Sequence, residues 1–258
     1  MATTDYTADV DPPLFASTTA STRTEAHRRA QRLARLTGLF FLITYAASIP
    51  PVAIFYMPAL SDPAFILGDG FDMSLSWGAV LELVLIFANI ASALTLYPVL
   101  SKRHEVLSLS YVAARLTESA FIAFGIVALL ALNTLRGNAG AADPAALMVA
   151  GQALVALHDW TFRLGPGVVV GIGNGLILGY MMWRTRLVPR FLSILGLVGG
   201  PAILASGIAV VLGVIEAASM PQIIATIPEF FWELLFGLWL LIKGFNPNAL
   251  ANMDSAGD

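Results

Sequence analysis

The chain has 258 residues, of which 57% are hydrophobic and 12% charged, with a net charge of −3 and a mean hydropathy of +0.78. An average soluble domain carries about 25% charged residues, so neither a water-soluble globule nor a largely disordered chain fits. The absence of cysteine excludes disulfides, thiolate metal sites and cysteine nucleophiles, and the slightly acidic balance gives no case for nucleic-acid binding.

The chain opens with a Thr-, Ser- and Asp-rich stretch and then a run of arginines, Arg23, Arg28, Arg29, Arg32 and Arg35. Residues 1–30 read as a disordered cytoplasmic segment. No basic start leads directly into a short apolar core there, so it is not a cleavable signal peptide. A membrane-spanning helix needs about 20 mostly apolar residues, and six stretches in 31–245 qualify: 33–57, 75–100, 107–135, 145–183, 190–214 and 221–243. Pro50-Pro51 interrupts the first, and Pro201 the fifth. The fourth is too long for one simple crossing at about 1.5 Å per residue, and Gly165-Pro166-Gly167 marks a break or kink within it. Whether it forms one helix or two stays open. The connection 57–75 reads as a surface loop, with a lid as the alternative, and 246–258 as a short solvated cytoplasmic tail.

The basic residues set the orientation. Beyond the N-terminal arginines, Lys102 and Arg103 fall between the second and third stretches, Arg184, Arg186 and Arg190 between the fourth and fifth, and Lys243 after the sixth. With six crossings all of these lie on one side, and the opposite connections hold only Arg136 among several acids. The expected fold is therefore an all-α integral membrane bundle of six helices with both termini cytoplasmic. Tyr56, Trp77 and Trp160 are expected at the outer membrane interface and Tyr97, Tyr111, Tyr180 and Trp183 at the inner one. Twelve arginines against two lysines fit a GC-rich bacterial genome, and the cytoplasmic membrane of a bacterium is the expected location.

Gly167, Gly171, Gly175 and Gly179 recur every four residues and form a small-residue stripe, a common device for close helix packing. The run GIGNG at 171–175 has no preceding strand and is not a dinucleotide fingerprint. Asn89 and Asn174 are placed to hydrogen-bond between helices.

The functional information lies in the ionisable residues within the apolar stretches: Glu82, Arg115, Glu118, His158, Asp159, Arg163, Glu229 and Glu233. A charge at a helix centre costs about 2.5–3.5 kcal/mol on insertion scales, so Glu82, Glu118 and Glu233 should face the bundle interior. His158, Asp159 and Glu229 are expected near the outer interface. Arg115 and Glu118 share a helix face at three residues apart, Asp159 and Arg163 at four, and Glu229 and Glu233 at four with like charge. Five acids outnumber two arginines, so the surplus needs protons, a bound cation or basic partners. The candidate binding set is Glu82, Arg115, Glu118, His158, Asp159 and Glu233, around a cavity open to the outside. The alternative is a polar network that only fixes helix register.

An intramembrane metal hydrolase finds little support. His158 and Asp159 are adjacent and point about 100° apart on a helix, and a catalytic zinc site needs two or three well-spaced ligands. No serine sits in a nucleophile elbow. No catalytic residue, metal site or cofactor is assigned.

Five segments together resemble the bacterial membrane proteins of domain-of-unknown-function family 4386, in an actinobacterial-type form. They are RLARLTGLFFLITY at 32–45, ARLTESAF at 114–121, ALVALHDWTFRLGPG at 153–167, RLVPRFLSILGLVGGP at 186–201 and WELLFGLWLLIKGF at 232–245. The resemblance runs over roughly 30–247 and implies a six-helix protein. It supplies no activity or substrate, but puts Arg115, Glu118, His158 and Glu233 within the segments that carry it. The expected function is an uncharacterised multi-pass membrane protein with a buried acidic cavity, a small carrier or a proton- or cation-coupled permease. The alternative is a non-catalytic binding, sensor or partner subunit. The bilayer is the expected partner, with a small molecule or ion as ligand, and the low helix count leaves room for a homo-oligomer.

Overall fold

A computed structural model describes the backbone of residues 14–140 and 142–254, and side chains between Thr24 and Met253. The described residues are all α, with no strand. Five helical runs are long and apolar enough to cross a membrane: 24–55, Met73–Gly137, 144–185, Arg190–Val211 and Met220–Ile242.

Helix α1 spans Leu14–Pro50 and passes into a π-helical turn at Pro51–Phe55. It starts inside the segment expected to be disordered. Residues 24–36 are mainly Ala, Arg, Gln, Glu and Leu, all strong helix formers, and continue directly into the apolar stretch. Residues 1–13 of that segment lie outside the described residues. The Pro50-Pro51 pair does change the helix, because neither proline donates a backbone N–H.

The connection that follows is folded. A short helix α2 (Met57–Ser61) and a 3-10 turn (Phe65–Leu67) bury Tyr56, Ala59 and Ile66 against Leu75, Leu129 and Leu132. Tyr56 is thus a core residue, its ring enclosed by protein.

Helix α3 covers Met73–Gly137, but His104 has φ −137° and ψ 59°, outside the helical region. The helix doubles back there. Asp72 and Arg136, each 32 residues from His104, form an ion pair at 3.5 Å. Halfway along, Asn89 donates to Glu118 at 3.2 Å. The arms 73–103 and 105–137 are therefore an antiparallel pair, although the turn between them is very short. Asp72 caps the first arm by accepting the Leu75 N–H at 2.9 Å.

Helix α4 (Pro144–Leu164) is followed without exit by π-helical segments at Gly165–Val169 and Gly171–Leu178 and by α5 (Gly179–Thr185). The long fourth stretch is one continuous helical run. It departs from α geometry at Gly165, φ −69° and ψ −82°, where the Gly-Pro-Gly sequence removes a side chain on either side of a residue that cannot donate. Arg186 ends the run in the left-handed conformation, φ 56°.

Helix α6 (Arg190–Val211) contains Pro201 and stays continuous through it, contrary to the expected interruption. Helix α7 spans Met220–Ile242. The glycine stripe meets α6: a Cβ on Gly171 would stand 2.7 Å from the Gly200 carbonyl oxygen, and one on Gly179 3.3 Å from the Leu197 nitrogen. Gly175 touches Gly200 more closely still. Gly167 also meets α6, its carbonyl oxygen 2.8 Å from where a Gly207 Cβ would stand, but only the Phe162 carbonyl oxygen lies near its own missing Cβ.

The chain ends in α8 (Pro247–Asp254), where a solvated tail was expected. Ala249, Leu250 and Met253 are buried on one face of it, an amphipathic spacing that favours docking over solution. Gln31 ties the approach to α8 onto α1. Its amide donates to the Phe245 carbonyl at 2.7 Å and accepts the Phe245 N–H at 2.9 Å. Residues 255–258 lie outside the described residues.

Two ends of the bundle can be told apart. The terminal end holds His104, α8 and the 186–189 turn; the far end holds the connections 56–72 and 212–219. The main apolar core fills the terminal half, around Phe41, Leu96, Tyr111, Met181, Trp232 and Phe236. Tyr111 belongs to this core. Large apolar side chains such as Phe87, Leu94, Phe124 and Val149 cover the outside, a surface suited to a lipid bilayer.

Candidate functional site

The polar centre begins with the α3 hairpin. Arg115 and Glu118 lie one turn apart on its second arm, and the Arg115 guanidinium donates to Glu118 at 2.7 Å. Asn89 on the first arm joins both: its amide nitrogen donates to Glu118, and its oxygen accepts from the second terminal nitrogen of Arg115. Arg115 is 3% exposed and Glu118 5%. This triad neutralises itself, and Phe41 of α1 lies 5.7 Å from the guanidinium carbon. The Arg115 Nε has no partner among the described residues.

Glu82 sits on the same arm as Asn89 and is buried. The Tyr56 hydroxyl donates to it at 2.9 Å. Gly78, one turn earlier, leaves the space that the Tyr56 ring occupies.

Helix α7 contributes Glu229 and Glu233, the tenth and fourteenth of its 23 residues and hence near mid-helix. Glu233 accepts a hydrogen bond from the Asn174 side chain. Trp232 secures that asparagine by donating its indole N–H to the Asn174 carbonyl at 2.9 Å. Glu229 is 2% exposed, and neither of its carboxylate oxygens has a hydrogen-bond partner among the described residues. It lies against the Gly175, Gly199 and Gly200 contact, with Oε2 2.7 Å from where a Gly199 Cβ would stand. Glycines thus make the room for this carboxylate. Sequence reasoning placed Glu229 at the outer interface and left it out of the binding set. The like-charge spacing to Glu233 was the signal that could have brought it in.

These groups surround a chamber of about 450 Å³. Glu82, Asn89, Arg115, Glu118, Glu229 and Glu233 line it together with apolar residues from α1, α3, α6 and α7. Tyr45 closes part of the α1–α7 side, its hydroxyl donating to the Phe230 carbonyl at 2.6 Å. Four acids and one arginine therefore share one hollow, and the arginine is already engaged by one of the acids.

A second hollow of about 650 Å³ lies nearer the far end. It takes in His158, Asp159 and Arg163 from α4 and Ala217, Ala218 and Gln222 from the start of α7. The two hollows adjoin at Val52, Phe162, Pro166, Ile203, Thr226 and Phe230, which line both. The Gly-Pro-Gly break thus stands at the waist between them.

The expected set is accordingly divided. Glu82, Arg115, Glu118 and Glu233 come together in the chamber, whereas His158 and Asp159 line the hollow nearer the far end. His158 is buried, its Nδ1 3.4 Å from the Gly125 carbonyl and its ring edge-on to Tyr56 at 5.5 Å. Asp159 turns away to pair with Arg163 at 3.3 Å. Among the described residues, no three His, Asp or Glu side chains are grouped as a metal ion would require.

The apolar helices, the lipid-compatible exterior and the buried polar centre define a multi-pass helical membrane protein. More particularly, the chain belongs to the family described as Domain of unknown function (DUF4386), whose profile matches residues 36–244. No curated protein and no solved structure matches the chain.

Proposed function

We propose that this protein is a small membrane carrier that exchanges protons or cations at the acidic chamber. Six crossings, with both termini in the cytoplasm of a bacterial cell, put the terminal end inside and the far end outside. The sixth crossing comes from counting the two arms of α3 separately, since 65 residues of helix at about 1.5 Å each would span roughly three bilayer thicknesses. The chamber then opens outward through the 650 Å³ hollow and is closed inward by the Phe41–Trp232–Phe236 core.

The observation that carries this reading is the unpartnered Glu229 carboxylate in an apolar chamber beside Glu233. An unpaired ion buried away from water is costly, so such a group holds either its proton or a cation. Alternation between the two is the basis of coupled transport. Arg115, held by Glu118 and Asn89, anchors the wall and keeps the α3 hairpin in register.

The test uses purified protein in liposomes containing a pH-sensitive dye and loaded at acid pH. The outside solution is sodium, potassium or the small-molecule fraction of a bacterial lysate. The expected result is a protein-dependent change of internal pH with at least one of these, lost in Glu233→Gln. Internal pH indistinguishable from that of empty liposomes in all three would end the carrier reading. The solid packing of the terminal half favours a second reading, a receptor or partner subunit that binds at the chamber without passing solute inward. Saturable ligand binding with no flux is the outcome that would select it.

A further inference from the structure

The geometry points to an amphiphilic organic cation as the occupant of the chamber, its ammonium group between Glu229 and Glu233 and its apolar body against Phe162 and Phe230. This inference rests on the proposal that the chamber is the solute site, and names the class of solute.

The charge argument is local. Arg115 donates to Glu118 and to Asn89 and keeps an unpartnered Nε among the described residues, but its charge is already balanced by Glu118 before an anion could use it. Glu82 has Tyr56 as donor, and Glu233 has Asn174. Glu229 alone has no donor at either oxygen, although it is 2% exposed and lines the chamber. When this carboxyl gives up its proton, the partner it needs is a positively charged or hydrogen-bond-donating group, which a ligand in the chamber would bring.

The volume and the walls argue against a bare inorganic ion. A metal needs several ligands converging on one point, and no three His, Asp or Glu side chains are grouped in that way among the described residues. The chamber of about 450 Å³ falls within the roughly 300–1,000 Å³ typical of small-molecule pockets. Val52, Leu85, Ile122, Val170 and Ile203 make its walls mostly apolar, and a hydrated ion would leave that surface wet. An apolar body fills it. Tyr45, Phe162 and Phe230 are among its lining residues, and aromatic rings attract ammonium groups and aromatic bodies alike. The apolar waist at Phe162 and Phe230 also lets such a solute pass between the hollows without stranding its hydrocarbon part in water.

Binding to the purified, detergent-solubilised full chain can be measured by titration calorimetry. The probes are benzyltrimethylammonium and, as an anion with a similar aromatic body, 3-phenylpropionate. The expected result is saturable binding of the ammonium compound, weakened at least tenfold in Glu229→Gln, and no saturable binding of the carboxylate. Glu233→Gln provides a second variant, expected to weaken the ammonium compound as well, and decides the matter if Glu229→Gln does not fold. Equal binding of the two probes overturns the inference, as does an ammonium affinity unchanged in both folded variants. If neither probe binds while the liposomes still show protein-dependent flux, the solute class is wrong and the carrier reading stands. Loss of both removes the two together.

Discussion

Gly175 and Gly200 face each other so closely that a Cβ on either would overlap the backbone of the other. The contact joins the π-helical segment after α4 to the middle of α6, and the Glu229 carboxylate occupies the space beside it. Packing and site are one feature here: without glycine at these positions, the π-helical segment and α6 would stand apart and the carboxylate would lose its recess.

Gly175→Ala is therefore expected to cost about 2–3 kcal/mol, the usual penalty for overfilling a packed site. Gly167→Ala belongs to the same stripe but meets only the Phe162 carbonyl oxygen, at 3.7 Å. It should lie within about 0.5 kcal/mol of wild type. Thermal unfolding of both variants in the same detergent checks the contrast. Equal losses would mean that the stripe does not act through the α6 contact.

Arg115→Ala should be among the most damaging single changes. It leaves Glu118 buried without its cation, a situation that costs about 3–5 kcal/mol where it has been measured. Glu82→Gln should cost far less, about 1 kcal/mol, because the amide oxygen can still accept from the Tyr56 hydroxyl. Melting temperatures, read with the yield of monodisperse protein, separate the two. A silent Arg115→Ala would show that the triad does not hold the α3 hairpin.

The six-crossing topology is open to direct labelling, since the chain lacks cysteine and any introduced thiol is unique. Ala64→Cys and Glu216→Cys lie in exposed connections at the far end, and Glu105→Cys is exposed beside the α3 turn. In intact bacteria a membrane-impermeant maleimide should modify the first two and reach the third only after permeabilisation. Labelling of Glu105→Cys from outside would reverse or break the proposed topology.

The docked C-terminus predicts a stability effect far from the chamber. Gln31→Ala removes both hydrogen bonds to Phe245 and should cost about 1–3 kcal/mol at roughly 0.5–1.5 per bond. Leu250→Ala, 4% exposed on α8, should cost at least about 2 kcal/mol. Unfolding midpoints test both. No change in either would mean that α8 does not stay docked.

The class of protein was legible from composition and hydropathy alone, because a bilayer imposes a length and an apolarity on every crossing that no soluble fold needs. The Arg115–Glu118 and Asp159–Arg163 pairs were also legible, being set by helical spacing within one element. So was the role of Asn89, since a buried amide in an apolar helix needs a partner across the interface. Other features depended on which elements meet. Tyr56 and Tyr111 look like interface aromatics in sequence, yet the folded 57–72 connection and the α3 hairpin enclose them. Glu229 looks like an edge residue, and only the glycine contact between the π-helical segment and α6 draws it inside. His158 and Asp159 are neighbours in sequence that turn to different surroundings, one to Tyr56 and Gly125 and the other to Arg163. Local periodicity records the face a residue occupies on its own helix. What that face meets is decided by the approach of other helices, and here glycines distant in sequence determine how close that approach is.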